Sequence, residues 1–225
     1  MRRPVVLLAR VLGFVDARYL VSGKHIYFPE LVSEIANQFS FQKSPKTLED
    51  FDLSKGVEFL EGRTGRRNIQ KLVIWDQTLV LETSSSTKDS KEILEELLLW
   101  AVGRFGINYE PGLIKRFAYI SDVSFYSDTT LLNVSPAVSF LANSCTAALS
   151  DIWEEPVDYR PISVKVGHDP VARKYGIAPF SIERNGTAKF SENKYFSEAP
   201  LPTDVHLQIL EQFEKYIIHS GEIPK

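Results

Sequence analysis

Between Thr87 and Phe105 the apolar residues Leu94, Leu97, Leu98, Ala101 and Phe105 return every three or four positions, which places them on one face of an α-helix. Asp89 and Glu92 stand at capping-box spacing near its start, and Gly106 follows where a left-handed residue commonly ends a helix. A helix with one apolar stripe must bury it against another layer. The β-rich runs 71–75 and 78–83 lie just upstream, separated by Asp76 and Gln77, a connection length that hairpins favour.

The same order of elements recurs near the other end of the chain. Asn185-Gly186, between Ser-Ile-Glu-Arg and Thr-Ala-Lys-Phe, is the strongest short hairpin signal, and it predicts a hairpin over 180–196. Thr203 then stands where it can cap a helix over 203–219 with Ile209, Leu210, Phe213 and Ile217 turned inward. A third long helix is expected over 135–152, where Ser135 precedes Pro136 and the stripe Val138, Leu141, Ala142, Cys145, Ala148, Leu149 and Ile152 must be buried. A shorter helix opens at Phe28-Pro29, with Leu31, Ile35 and Phe39 repeating every fourth residue, and leads into an irregular stretch, 40–54, with Phe41, Leu48 and Phe51 tucked inward. Strands are expected at 5–15, covered on both faces, and at 57–60, 116–126 and 158–166. The fold class read from this pattern is α+β: a mixed or mainly antiparallel sheet, with hairpins packed against three principal amphipathic helices in two ββα units.

Composition is ordinary throughout its 225 residues, 44% hydrophobic and 24% charged, and a single domain over 1–225 is expected. Cys145 is the only cysteine, so no intrachain disulfide can form; this points to the cytoplasm. On the helical stripe with Leu141 and Leu149, Cys145 reads as a core residue. The early run Val5-Val-Leu-Leu-Ala is broken by Arg10, and no stretch approaches a membrane span. A net charge of -3 argues against a protein devoted to wrapping nucleic acid. Residues 1–28 hold five Lys or Arg against one Asp, and residues 29–62 hold three Lys against seven acids, so pairing within the first quarter is expected.

Catalytic and metal constellations each lack a member. His25, His168, His206 and His219 have no metal-ligand spacing, and neither a metal nor a cofactor is expected. Asp76 and Glu82 flank a hairpin, but the chain reads Glu82-Thr83-Ser84 where a nuclease site would need Glu-x-Lys, and Ser84, Ser85 and Ser86 lack the nucleophile elbow. His206, in the first turn of a helix, reads as neutral. The sequence Gly62-Arg63-Thr64-Gly65-Arg66-Arg67 is the one anion-site candidate: read as a loop, it offers three guanidinium forks and exposed backbone amides, with His168 beside Asp169 as a further candidate.

Two functions are therefore expected to compete. The first is a non-enzymatic interaction or assembly module, a homo-oligomer or part of a larger complex, using hairpin edges and the border aromatics Tyr126, Trp153, Tyr159, Tyr175, Tyr195 and Phe196. The alternative is a phosphate-, nucleotide- or nucleic-acid-handling protein using Arg63, Arg66, Arg67 and His168.

Overall fold

Residues 2–14 form β1 (Arg2–Phe14), which lies fourth in a sheet of eight strands; it is exposed or part-exposed up to Leu8 and alternates between buried and part-exposed from Ala9 on. The computed structural model describes residues 1–169, 171 and 176–220. After β1 come α1 (Ala17–Val21), α2 (Phe28–Gln38), β2 (Val57–Thr64), β3 (Arg67–Ile74), β4 (Thr78–Thr83), α3 (Thr87–Phe105) and β5 (Phe117–Tyr126). The chain continues through α4 (Pro136–Trp153), β6 (Ser163–Val166), β7 (Phe180–Arg184), β8 (Lys194–Ala199) and α5 (Thr203–Ser220). The strand order is β2-β3-β4-β1-β5-β8-β7-β6. The β2–β3, β3–β4, β4–β1, β8–β7 and β7–β6 pairs are antiparallel, so the class is α+β. The chain divides into two compact units, one of Val6–Asp122 with Pro200–Asp204, the other of Met1–Val5, Val123–Ala199 and Val205–Lys225.

The Val6–Asp122 unit holds the main apolar cluster. Ile93, Leu94, Leu97, Leu98 and Ala101 of α3 are buried there with Leu31 and Ile35 of α2 and with Phe59, Leu72 and Leu81 of the sheet. The helix is seated by hydroxyls as well as by its stripe. Ser90 Oγ donates to the Ala9 carbonyl at 2.7 Å and lies 2.9 Å from Thr83 Oγ1, and Ala9 and Thr83 are register partners in the β1–β4 ladder. Ser86, not Asp89, is the N-cap of α3, accepting from the Asp89 amide at 3.0 Å; Gly106 closes the other end at φ 65°. Thr87 and Thr203 cap each other, each amide donating to the other's hydroxyl at 3.0 and 2.9 Å. Both β1 and the first-quarter charges depart from expectation. Only the odd-numbered residues from Ala9 to Gly13 are buried, because one face of the strand is left part-exposed. Arg10 pairs with Glu82 and Arg18 with Asp76, carboxylates that the sheet and the turn after β3 bring beside them, rather than acids of 29–62.

The Asp76-Gln77 turn between β3 and β4 has the expected length, with the Trp75 amide bonded to the Thr78 carbonyl at 2.8 Å. The other predicted turn is different. Asn185-Gly186 begins a longer connection: the Asn185 side chain accepts from the Thr187 amide at 3.0 Å, and β7 pairs with Lys194–Ala199 instead of the residues just past Gly186. An Asx turn satisfied the asparagine locally, so a tight hairpin was not needed. The strand expected over 158–166 shortens to β6. Leu48 and Tyr175, which the sequence reading placed, lie outside the described side chains.

The buried face of α5 is polar at three of four positions. Thr203 begins the helix, and His206, Leu210 and Glu214 follow it inward, whereas Ile209 stays exposed. Glu214 accepts from Ser127 Oγ at 2.6 Å and pairs with the Met1 amine. Tyr195 is fully buried against Phe125, and its hydroxyl accepts from the Leu131 amide at 3.1 Å.

Two stability measurements check this packing. An apolar cavity of about 80 Å³ lies under Leu97, between Leu20, Leu31, Ile74 and Leu98. Leu97→Ala enlarges a space that is already underfilled, so its cost in urea unfolding should fall toward the top of the roughly 2–5 kcal/mol range. Tyr195→Phe should cost about 1–3 kcal/mol, because the Leu131 amide is left buried without an acceptor.

Candidate functional site

The arginine segment is not a loop. Residues 57–64 and 67–74 form one continuous hairpin, with Thr64 opposite Arg67 and Gly65-Arg66 as its two-residue turn. Both glycines have structural reasons. Gly65 holds φ 55° at the first turn position, and Gly62 leaves room for the Phe41 ring, which occupies the place a Cβ would take. The guanidinium groups diverge accordingly. Arg63 Nε donates to the Gly65 carbonyl at 2.8 Å, Arg67 pairs with Glu96 at 2.5 Å and Glu92 at 3.7 Å on α3, and Arg66 is exposed at the tip. The two carboxylates beside Arg67 offset the charge an incoming anion would need. These three arginines belong to the Val6–Asp122 unit, and His168 belongs to the other. His168 is half-buried with Nε2 enclosed and without a hydrogen-bond partner among the described residues; Asp169 instead caps the Val171 amide at 2.9 Å. Pro170, part of the expected turn, is outside the described residues.

A serine–histidine pair that sequence spacing did not suggest lies in the second unit. Ser197 Oγ and His206 Nε2 are 2.8 Å apart, and both residues are fully buried. The single hydroxyl hydrogen of Ser197 goes to the Ser181 carbonyl at 2.6 Å, which leaves His206 Nε2 as the donor of the other bond. That polarity is opposite to a base drawing a proton from a nucleophile. The pair acts as a strap joining β7, β8 and the first turn of α5.

α4 is where the structure departs furthest from the sequence reading. The predicted ends are close, with Ser135 capping the Ala137 amide and Pro136 in the first turn, but no residue of the helix is buried. The half-buried residues of the helix are Ser139, Ala142, Cys145, Thr146, Leu149 and Ser150. Thr146 Oγ1 accepts from the Tyr159 amide at 2.9 Å, and Ser150 Oγ from the Val157 amide at 3.0 Å. Hydroxyls thus hold the helix down with Ala142, Cys145 and Leu149 of the apolar stripe half-buried beside them, while Leu141, 63% exposed, and Ile152, 72%, form its outer margin; Phe140 and Trp153, off that stripe, are 73% and 66% exposed. Cys145, expected in the core, is only half-buried. From residue 133 to residue 180 none of the described residues is buried, and the exposed side chains continue through Tyr159, Ile162 and Val166 to the edge strand β6. A polar cleft of about 410 Å³ lies beside the inner face, lined by Thr130, Asn133, Asn143 and the ion-paired Asp158 and Arg160.

Among the described residues no group of histidine, cysteine and carboxylate side chains is arranged to hold a metal, and no helix is long and apolar enough to cross a membrane. The molecule defined by these features is an α+β protein with an eight-stranded sheet and one long helix, α4, in which no residue is fully buried. No protein-family model matches the chain, and comparison with curated proteins returns no match.

The account of the glycines is checked by Gly62→Ala. The added methyl meets the Phe41 ring, which packs on Phe59 5.2 Å away, so thermal unfolding should show a loss of roughly 1–3 kcal/mol. Arg67→Ala, which removes only a part-exposed pair, should cost about 1 kcal/mol or less, and less still at high salt.

Proposed function

We propose that this chain is a non-enzymatic protein-interaction module, and that its working surface is the outward face of α4 with the neighbouring edge strand β6. The observation that carries the reading is the exposure of Phe140, Leu141, Ile152 and Trp153 on a helix in which no residue is fully buried. These side chains expose on the order of 500–600 Å² of apolar surface in all, distributed over more than one side of the helix, and exposed apolar surface on this scale commonly serves association. No charged residue lies between Asp128 and Asp151, so a solvated role for the helix is unfavourable. The occupant that fits is a protein surface equally free of charge. β6 adds four residues at the sheet margin with Val166 exposed, a second means of contact. We place this module in the cytoplasm, on the single cysteine, and read β3–β4–α3 and β7–β8–α5 as its two ββα building blocks.

The phosphate reading has less support, since Arg63 and Arg67 already have partners in the hairpin and on α3. A thermal-shift screen with pyrophosphate, ATP and single-stranded DNA should give no stabilisation that Arg63→Ala with Arg66→Ala removes. A shift lost in that double variant would favour the anion reading instead. The interaction reading is tested at high dilution, where association is minimal. Phe140→Ser with Leu141→Ser should change the unfolding free energy by less than about 0.5 kcal/mol, as for surface positions, while reducing binding of the apolar dye ANS. A loss of several kcal/mol would mean that the stripe is core, and would end the proposal.

A further inference from the structure

We infer that the occupant of the α4 face is a second copy of this chain, with the two α4 helices packed antiparallel about a two-fold axis near Cys145. This rests on the interaction reading above and adds the partner to it. Three properties of the helix point the same way.

The first is charge. The stripe is neutral, so two copies of it meet without opposing like charges, as an isologous contact requires. The charges that do exist sit at one end. Asp151, Glu154 and Glu155 cluster at the C-terminus of α4, and no basic residue lies in its last turn. Carboxylates there oppose the negative end of their own helix dipole. In an antiparallel pair they lie beside the first turn of the other copy, at Ser135 and Pro136, where the dipole is positive. A parallel pair would instead place the acids of both copies together.

The second is side-chain size. Ala137, Leu141, Cys145, Ala148 and Ile152 follow one another along the outward face at three- and four-residue spacing. With the axis between Ser144 and Cys145, Leu141 falls opposite Ala148 of the other copy and Ile152 opposite Ala137. Each bulky side chain meets a small one, the alternation that lets two helices approach closely.

The third is area. Leu141 and Ile152, with the smaller residues of the stripe, bury well under about 1,200 Å² between two copies, the range of weak and transient contacts. The dimer is therefore weak and depends on concentration.

The experiment is light scattering on the full chain across a concentration series, run beside air oxidation with copper phenanthroline. The mass should rise from 25.5 kDa toward twice that value. Because Cys145 is the only thiol and the proposed axis brings the two copies of it together, oxidation should give one covalent dimer, absent in Cys145→Ser. Leu141→Glu should hold the protein at the monomer mass and abolish the crosslink. A dimer that survives Leu141→Glu overturns the proposal. So does a wild-type monomer at every concentration, and ANS then separates the two readings. If Leu141→Glu removes ANS binding from that monomer, pairing of copies fails while a docking face for another protein stands. If the monomer binds no ANS, both readings fail.

Discussion

The seating of α3 on β1 and β4 is the contact on which the described core depends. Its centre is Ser90, whose hydroxyl bonds the Ala9 carbonyl on one strand and lies against Thr83 on the next. A helix held at one point to two register partners of a ladder has its height and rotation set at once. Leu94, Leu97, Leu98 and Ala101 then fall on the sheet, and Gly13 lets Leu94 approach to 3.4 Å of where its Cβ would be. The sheet surface, α2 and the cavity beneath Leu97 all take their positions from that seating.

Much of this was legible in the sequence, and the reasons for the failures are physical. Periodicity located α3 to the residue and α4 within one, because a stripe over 18 or 19 residues is hard to produce by chance. Five-residue α1 has no period to detect; only Asp16, which caps the Arg18 amide at 2.9 Å, could have signalled it. The arginine segment was misread because glycines are ambiguous. Gly62 and Gly65 look like a flexible cradle, yet one makes room for a ring and the other makes a tight turn. The Ser197–His206 pair was invisible because strand pairing, not spacing, brings the two residues together.

For α4, the pattern was read correctly and its meaning was not. A hydrophobic period states that a face wants to leave water; it does not state which chain supplies the cover. The informative signal was available beside it. α3 carries Lys91, Glu92, Glu95 and Glu96 on its solvent side, and Arg67 and Lys91 pair with them. α4 has small polar residues on one side, apolar residues on the other, and no such charged face. Its exposed polar residues, Asn143, Ser144 and Asp151, are mostly uncharged, so its solvent side differs from that of α3.

That composition also bears on how α4 is stabilised. An isolated helix of 18 residues is marginal in water even when rich in alanine, and most helical stability in proteins comes from packing an amphipathic face. α4 has no charge pairs along its length, and Ser135, Pro136 and its six half-buried residues are modest compensation. The hydroxyl bonds from Thr146 and Ser150 fix where the helix lies but bury little apolar surface. The proposed covering of Leu141 and Ile152 would add to that stability. Association and helix formation are then two views of one equilibrium, since whatever covers the stripe also favours the helical state that displays it.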